Sequence, residues 1–168
     1  MRRLKSTKGA PSTNRAQAGF SLIELLVVVA VILIIAAIAI PNYIQSKMRS
    51  NEASAVQSLR NISTAELLYT STYEIDYSTT LVQLSGTGVT PDQDHAGTID
   101  ENLASGTKSG YIFTYTPLTN DAQGHTATYS VTADPQSATT GQRHFYTDQT
   151  CVIRYNLSAT AGPTDLPI

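Results

Sequence analysis

Residues able to carry out acid–base, nucleophilic or metal chemistry are few and scattered in this 168-residue chain. Its three histidines, His95, His125 and His144, form no H-E-x-x-H pair, and Cys151 has no second cysteine with which to bind zinc or form an internal disulfide. No G-x-S-x-G elbow or phosphate-binding glycine loop occurs. The sequence therefore predicts no catalytic residue, no cofactor and a protein that is not an enzyme.

Two minor features carry weak chemical signals. In "DQDH", Asp92 and Asp94 are weak calcium candidates, but their spacing falls well short of an EF-hand loop, so a solvated turn is the simpler interpretation and no metal is expected. Cys151 lies in "TCVIRY", which alternates like a strand. We interpret it as a small buried apolar residue, with an intermolecular bridge or a reactive thiol as the alternatives.

The most unusual ionisable residue is Glu24, because it lies in an otherwise apolar run. From Phe20 to Ile40 only Ser21 and Glu24 are not apolar. Twenty-one residues of helix measure about 31 Å, the thickness of the hydrocarbon core of a bilayer. A charged side chain near the centre of such a helix costs roughly 2.5 kcal/mol or more, so the position of Glu24 requires an explanation.

The distribution of charge predicts how this segment is oriented. The first nineteen residues contain five basic side chains and no acidic one, which predicts a cytoplasmic N-terminus. The other 149 residues contain six basic and thirteen acidic side chains, a balance that argues against nucleic acid as a main partner. Cleavage after "AIA" (37–39), as in a secretory signal, is a weaker alternative, since the apolar run exceeds the usual 7–15 residues.

The stretch "GFSLIELLVVVAVILIIAAIAIPNY" (19–43) resembles the prepilin signature of type IV pilins and type II secretion pseudopilins. In that family a basic leader ends in Gly before a Phe, a Glu is fifth in the mature chain, and a Pro is commonly twenty-second. Counted from Phe20, Glu24 is fifth and Pro41 is twenty-second. The resemblance implies cleavage between Gly19 and Phe20 by a membrane aspartic peptidase, N-methylation of Phe20, and assembly of the retained helix into a filament.

The resemblance also implies a function and a location. The expected function is that of a structural subunit of a type IV pilus used for attachment, twitching motility or DNA uptake. A major pseudopilin of a type II secretion system is the alternative, and a membrane-anchored enzyme or binding domain is a remote one. The expected partners are other copies of the chain, the prepilin peptidase/methyltransferase and an inner-membrane assembly platform. The chain would span the inner membrane once before it enters an extracellular pilus or a periplasmic pseudopilus.

Within this scheme, Glu24 and Pro41 each have two interpretations. Cleavage creates a charged amino group at Phe20, and Glu24 could pair with that amine on a neighbouring copy, which would fix the register of assembly. Alternatively, Glu24 reaches the lipid headgroups from its position near the end of the span. Pro41 predicts either a mild kink, which membrane helices tolerate, or local melting of the helix when filaments pack.

The remaining elements predict an α+β, pilin-like fold. Residues 42–73 continue the helix as an amphipathic segment whose apolar stripe, which also includes Glu66, consists of Ile44, Met48, Ala55, Leu59, Ile62, Ala65 and Tyr69. Residues 74–109 form a loop region with two short helices, which begin at capping boxes at Thr80–Gln83 and Thr98–Glu101. Residues 110–168 alternate with period two and predict an antiparallel sheet of about four strands, at 111–118, 125–135, 143–147 and 151–156, packed on the long helix.

Replacement of the residue before the predicted cleavage site tests the processing. In Gly19→Leu a bulky side chain crowds a site that accepts a small residue, so we expect the leader to be retained. Gly9→Leu, in the same leader but distant from the bond, should be processed normally. Mass spectrometry of the N-terminus should find methylated Phe20 in the unmodified chain, whereas an N-terminus at Ile40 would show that cleavage follows "AIA" instead.

Overall fold

The computed structural model describes residues 19–86 and 90–168, so the predicted leader, apart from Gly19, lies outside the described residues. One long helix, α1 (Leu22–Tyr73), precedes two one-turn helices and six strands. The short helices are α2 (Leu81–Leu84) and α3 (Glu101–Ala104). The strands are β1 (Thr107–Lys108), β2 (Tyr111–Asn120), β3 (Thr126–Pro135), β4 (His144–Asp148), β5 (Arg154–Asn156) and β6 (Leu166–Pro167).

The first part of α1, residues 22–39, which we call the apolar segment, is apolar on every side. Its large apolar side chains are 45–80% exposed, and none of its residues is buried. A helix that is apolar all round is stable only in lipid or among other apolar helices. The contacts divide the chain into two compact units between Ala39 and Ile40, and we call the second unit, residues 40–168, the headpiece.

In the headpiece, α1 has one buried face. Ala55, Leu59, Ile62, Ala65 and Tyr69 are at most 3% exposed, as the apolar stripe predicted. They form one core with side chains from the inner face of the sheet, namely Tyr111, Phe113, Tyr129, Val131, Ala133 and Phe145. The stripe is less buried at its beginning, since Ile44 is 37% exposed and Met48 is half-buried. Ser58, which was expected mostly away from the stripe, is buried as well.

The sheet is an antiparallel meander in which the strands neighbour one another in chain order, from β1 to β6. The predicted α+β fold with a long helix packed on an antiparallel sheet is therefore confirmed. The sheet has six strands instead of about four, because two-residue strands extend it at both edges. Neither edge pair is long enough to produce a visible period-two pattern.

The fourth predicted strand begins later than expected, at Arg154 instead of Cys151. Cys151 has a positive φ of 59°, and its N–H donates to the carbonyl of Asp148 at 2.9 Å, which closes a tight turn. The Asp148 carboxylate strengthens this turn by accepting from the N–H and the hydroxyl of Thr150. The cysteine therefore belongs to the turn and is exposed, so the prediction of a buried strand residue was wrong.

The short helices form where they were predicted, but their caps differ. Thr80 occupies the N-cap of α2 without a side-chain hydrogen bond, and Oε1 of Gln83 instead accepts from the N–H and hydroxyl of Thr79. The N-cap of α3 is Asp100, whose Oδ1 accepts from Leu103 N at 3.1 Å. Thr98 is not a cap, because its hydroxyl donates to the carbonyl of Leu84 and joins the two helical turns.

Two helical leucines provide a matched test of this packing. Leu59 is fully buried, whereas Leu67 is 53% exposed on the same helix. We expect Leu59→Ala to lower the free energy of unfolding of the headpiece by about 3 kcal/mol, because it leaves a cavity. Leu67→Ala should change it by less than about 1 kcal/mol. Near-ultraviolet circular dichroism of the tyrosines during heating measures both, and equal effects would contradict the assigned face.

Candidate functional site

The predicted cleavage bond lies just before α1, in non-helical chain. Phe20 is 87% exposed, and apart from its immediate chain neighbours no described residue lies within 4 Å of the position that a Cβ on Gly19 would occupy. Gly19 and Phe20 both precede the first helical residue, Leu22. A peptidase requires a chain that is not locked into a helix, and this segment meets that condition.

Glu24 is in the first turn of α1, where it caps the helix of its own chain. Its Oε2 accepts from Ser21 N at 3.1 Å, while Leu25 N donates to the Ser21 carbonyl at 3.3 Å. Ser21 is therefore the N-cap residue and Glu24 the third helical residue, the positions of Ser and Glu in a capping box. Sequence reasoning missed this role, although "SLIE" has the S-x-x-E spacing that could have revealed it. A carboxylate at this end also interacts favourably with the helix dipole.

This cap leaves most of the accepting capacity of Glu24 available. A carboxylate has about four lone-pair sites, and among the described residues only Ser21 N donates to it. An ammonium group has three N–H donors and can approach the remaining sites. Capping within the chain and pairing with an amine of another chain are thus compatible, because they use different acceptor sites on the same side chain.

Pro41 lies inside α1, which remains helical through this residue. Proline has no N–H, so the carbonyl of Ala37, four residues earlier, has no helical donor at this point. Pro41 is only two residues beyond Ala39, the last residue of the first compact unit. The structure thus places the predicted weak point of the helix at the beginning of the headpiece.

The other titratable residues singled out in the sequence are not brought together. His95, His125 and His144 each lie beside a different aspartate, respectively Asp92, Asp121 and Asp134. In the segment "DQDH", which was expected to be a solvated turn, Oδ1 of Asp92 accepts from Asp94 N at 3.0 Å and stabilises a turn. Within residues 19–86 and 90–168, no group of three or more His, Cys, Asp or Glu side chains is arranged to hold a metal ion.

Sequence reasoning did not predict that Glu52 joins α1 to the loop between β3 and β4. Its Oε1 accepts from the backbone N–H groups of Gln142 and Arg143, and its Oε2 accepts from Arg143 Nε at 2.8 Å. Burial alone would raise the pKa of Glu52, but these donors and the positive charge of Arg143 outweigh it and lower the pKa. Arg143 also lies over the rings of Phe145 and Tyr155.

Glu66 is fully buried and ties α1 to the segment that follows it. Its carboxylate accepts from Ser78 N at 3.0 Å and from the Ser78 hydroxyl at 2.6 Å, and the hydroxyl of Tyr115 donates to the Ser78 carbonyl. Burial raises the pKa of Glu66, and the Ser78 donors offset only part of this effect. Glu66 was the one charged residue on the predicted apolar stripe. The structure explains why it can be buried there, because its carboxylate accepts hydrogen bonds from Ser78.

The sequence is similar to known proteins, both in the N-terminal segment and beyond it. Residues 14–40 match the family described as "Prokaryotic N-terminal methylation motif". The chain is 49% identical over 53 residues to "Type IV major pilin protein PilA" of Myxococcus xanthus, a match that covers 32% of this chain and 24% of that protein. It is 37% identical over 114 residues to "Fimbrial protein" of Pseudomonas aeruginosa, which covers 57% of this chain and 73% of that protein. No solved structure matches the chain significantly.

An exposed apolar helix with a methylation motif, followed by a headpiece in which the helix packs on an antiparallel sheet, defines a pilin-type subunit. The similarity to the Pseudomonas protein extends well beyond the helix and covers most of that relative. The chain belongs to the family of type IV pilins and type II secretion pseudopilins.

The two buried glutamates should respond to pH in opposite directions. Because the folded pKa of Glu66 is raised, its contribution to stability is full below the unfolded pKa, about 4.3, and is lost as pH rises through the folded pKa. Glu66→Gln should therefore become more stable relative to the unmodified chain above about pH 4.3, by about 1.4 kcal/mol for each unit by which the pKa is raised.

Glu52→Gln should show the reverse, because the folded pKa of Glu52 is lowered. The stability it provides is present above the unfolded pKa and is lost as pH falls through the folded pKa, so this variant should be weakest near neutrality. Melting temperatures of the three proteins at pH 3, 4, 6 and 8 measure both effects. Parallel curves for the two variants would contradict the assignment.

Proposed function

We propose that the mature chain is a structural subunit of a type IV pilus and that it assembles into a helical homopolymer through the apolar segment of α1. The observation that carries this proposal is the position of Glu24, a lone carboxylate in the first turn of a helix whose large apolar side chains are otherwise exposed. A helix cap by itself does not require a charge at this position, because a neutral oxygen can also accept from Ser21 N.

The exposed surface of the apolar segment supports self-association. Before assembly, lipid would cover it, with the basic leader on the cytoplasmic side. After assembly, the same segment of other copies would cover it instead. Identical apolar helices, repeated by an operation that does not close into a ring, form an open helical filament.

The pairing of Glu24 with Phe20 supplies the register of this assembly. Cleavage after Gly19 would leave a positively charged amine on Phe20, next to the N-cap residue Ser21. In a low-dielectric filament core, an unpaired amine and an unpaired carboxylate are each costly, so packing favours the stagger at which they meet on neighbouring copies. Glu24 can accept that amine without losing its bond from Ser21 N.

The relatives favour an external fibre over a pseudopilus, because both are described as pilin or fimbrial proteins. Attachment, twitching motility and DNA uptake are the roles proposed for such a fibre. Its biogenesis would require the prepilin peptidase/methyltransferase and an inner-membrane assembly platform. Electron microscopy of cells with and without the gene distinguishes a surface fibre from a periplasmic pseudopilus.

Two substitutions at Glu24 separate its capping role from its pairing role. Glu24→Gln keeps an oxygen that can accept from Ser21 N but removes the charge, whereas Glu24→Val removes both. Loss of one partner of a buried ion pair typically costs about 3–5 kcal/mol, far more than loss of a helix cap. We therefore expect both variants to insert in the membrane and be processed at Phe20, and both to form few or no filaments.

Counts of filaments per cell, with membrane levels and processing measured in parallel, decide between the roles. Normal filaments from Glu24→Gln but not from Glu24→Val would mean that only the cap matters. Normal filaments from processed protein of both variants would mean that Glu24 has no role in assembly. Glu74→Gln, which removes an exposed carboxylate of the headpiece, serves as the matched control and should assemble normally.

A further inference from the structure

The part of α1 that follows the apolar run is basic, although most charged side chains of the headpiece are acidic. Between Ile40 and Glu52 the chain contains two basic side chains, Lys47 and Arg49, and no acidic one. Once the leader is cleaved, these are the basic side chains nearest to the apolar run along the chain. Their role is not explained by the packing of helix on sheet, because both side chains are exposed.

Neither cation is neutralised by a neighbouring carboxylate. Within residues 19–86 and 90–168, neither Lys47 nor Arg49 forms a salt bridge. Glu52 lies three residues after Arg49, but its carboxylate is engaged by Arg143, whose Nε donates to it at 2.8 Å. Both positive charges are therefore available to a partner outside the chain.

Their position along α1 places both charges near the surface of a membrane that the apolar run would span. Lys47 is about 10 Å and Arg49 about 14 Å beyond Ile40 along the helix axis. Helical side chains tilt toward the N-terminus of the helix, so both lean back toward the membrane. The headgroup layer extends roughly 5–8 Å beyond the hydrocarbon core, and the attraction of its charge extends about another 8–10 Å. Lipid phosphates are thus within reach of both cations.

Tyr43 marks the same boundary. Its side chain is 67% exposed just beyond the end of the apolar run. Tyrosine is enriched where hydrocarbon meets headgroups, because its ring is apolar and its hydroxyl is polar. Lys47 lies four residues later on the same face of the helix, whereas Arg49 points about 200° away from Lys47. The ring and the two cations can therefore contact headgroups on both sides of the helix.

We propose that Tyr43, Lys47 and Arg49 form a binding surface for anionic phospholipids in the leaflet on the headpiece side of the membrane, before the subunit enters a filament. This lipid contact rests on the membrane stage of the proposed function and adds the class of lipid that the subunit prefers. An ammonium and a guanidinium group donate charge-assisted hydrogen bonds to phosphate oxygens. A zwitterionic headgroup has its own positive charge beside the phosphate and attracts the two cations less strongly.

The side of the membrane on which these cations would lie supports a role in lipid binding. Basic residues that flank a span normally lie on the cytoplasmic side, where they help to set its orientation. With the leader in the cytoplasm, Lys47 and Arg49 would lie on the opposite side and would weaken that signal. Orientation of the span therefore gives no reason for them, whereas binding of lipid phosphates does.

Native mass spectrometry of the full-length mature chain tests the proposal on single subunits. The protein, in lauryldimethylamine oxide micelles, is mixed with equal amounts of dioleoyl phosphatidylglycerol and dioleoyl phosphatidylcholine, which differ only in the headgroup. We expect at least fivefold more bound phosphatidylglycerol, since each lysine or arginine near an anionic surface contributes roughly that factor. Inorganic phosphate, added at constant ionic strength, should not displace the lipid. Displacement by phosphate, or equal binding of the two lipids, would overturn the proposal.

Matched variants locate the binding. The double variant Lys47→Gln/Arg49→Gln removes both charges and should reduce the preference to less than about twofold. The double variant Lys47→Arg/Arg49→Lys keeps both charges and should keep the preference. Arg60→Gln removes an exposed cation of the same helix, about 30 Å beyond Ile40, and should behave like the unmodified chain. Full preference in the uncharged variant, or an equal loss in Arg60→Gln, would contradict this location.

Failure of this proposal is distinguishable from failure of the proposed function. Lipid preference is measured on subunits that have not assembled, whereas the role in a pilus is decided by filament counts for the variants of Glu24. Equal binding of the two lipids by a chain that forms normal filaments would overturn the lipid proposal alone.

Discussion

The apolar surface of α1 between Leu22 and Ala39 sets the constraint on which the rest of the structure depends. Every large side chain in this segment is exposed, and no face is polar enough to be left in water. The segment must therefore be covered from outside the chain, by lipid or by other copies. Glu24 is the only ionisable side chain within it, and its position in the first turn allows it to accept from the backbone N–H of Ser21.

From Ile40 onward the same helix has only one face to bury, and two glutamates on that face attach it to the rest of the headpiece. Glu52 is held by Arg143 and two backbone donors, so its charged form is favoured. Glu66 accepts from Ser78, but burial outweighs these donors and raises its pKa. Falling pH therefore weakens the attachment through Glu52, and rising pH weakens the attachment through Glu66. The free energy of unfolding should be greatest at an intermediate pH.

Aromatic side chains pack between the helix and the sheet, and they also determine where neighbouring segments of the chain can approach each other closely. Cβ of any residue larger than glycine at Gly141 would lie 2.1 Å from the hydroxyl oxygen of Tyr111, so only glycine allows that tyrosine to reach the Arg143 carbonyl. At the other end of the sheet, the bridge between Tyr77 and Thr126 brings the end of α1 to the turn between β2 and β3.

The sequence by itself determined the features that depend on local pattern. Apolar periodicity located α1 and its buried stripe, and alternation located the meander, because these signals depend only on the nearest neighbours along the chain. It could not determine which polar groups meet across long separations. Glu52 and Arg143 are 91 residues apart, so their contact follows from the packing of helix on sheet. Cys151 was misjudged for a different, local reason: the alternation around it suits a strand, but the turn closed by the Asp148 carbonyl decided its backbone conformation.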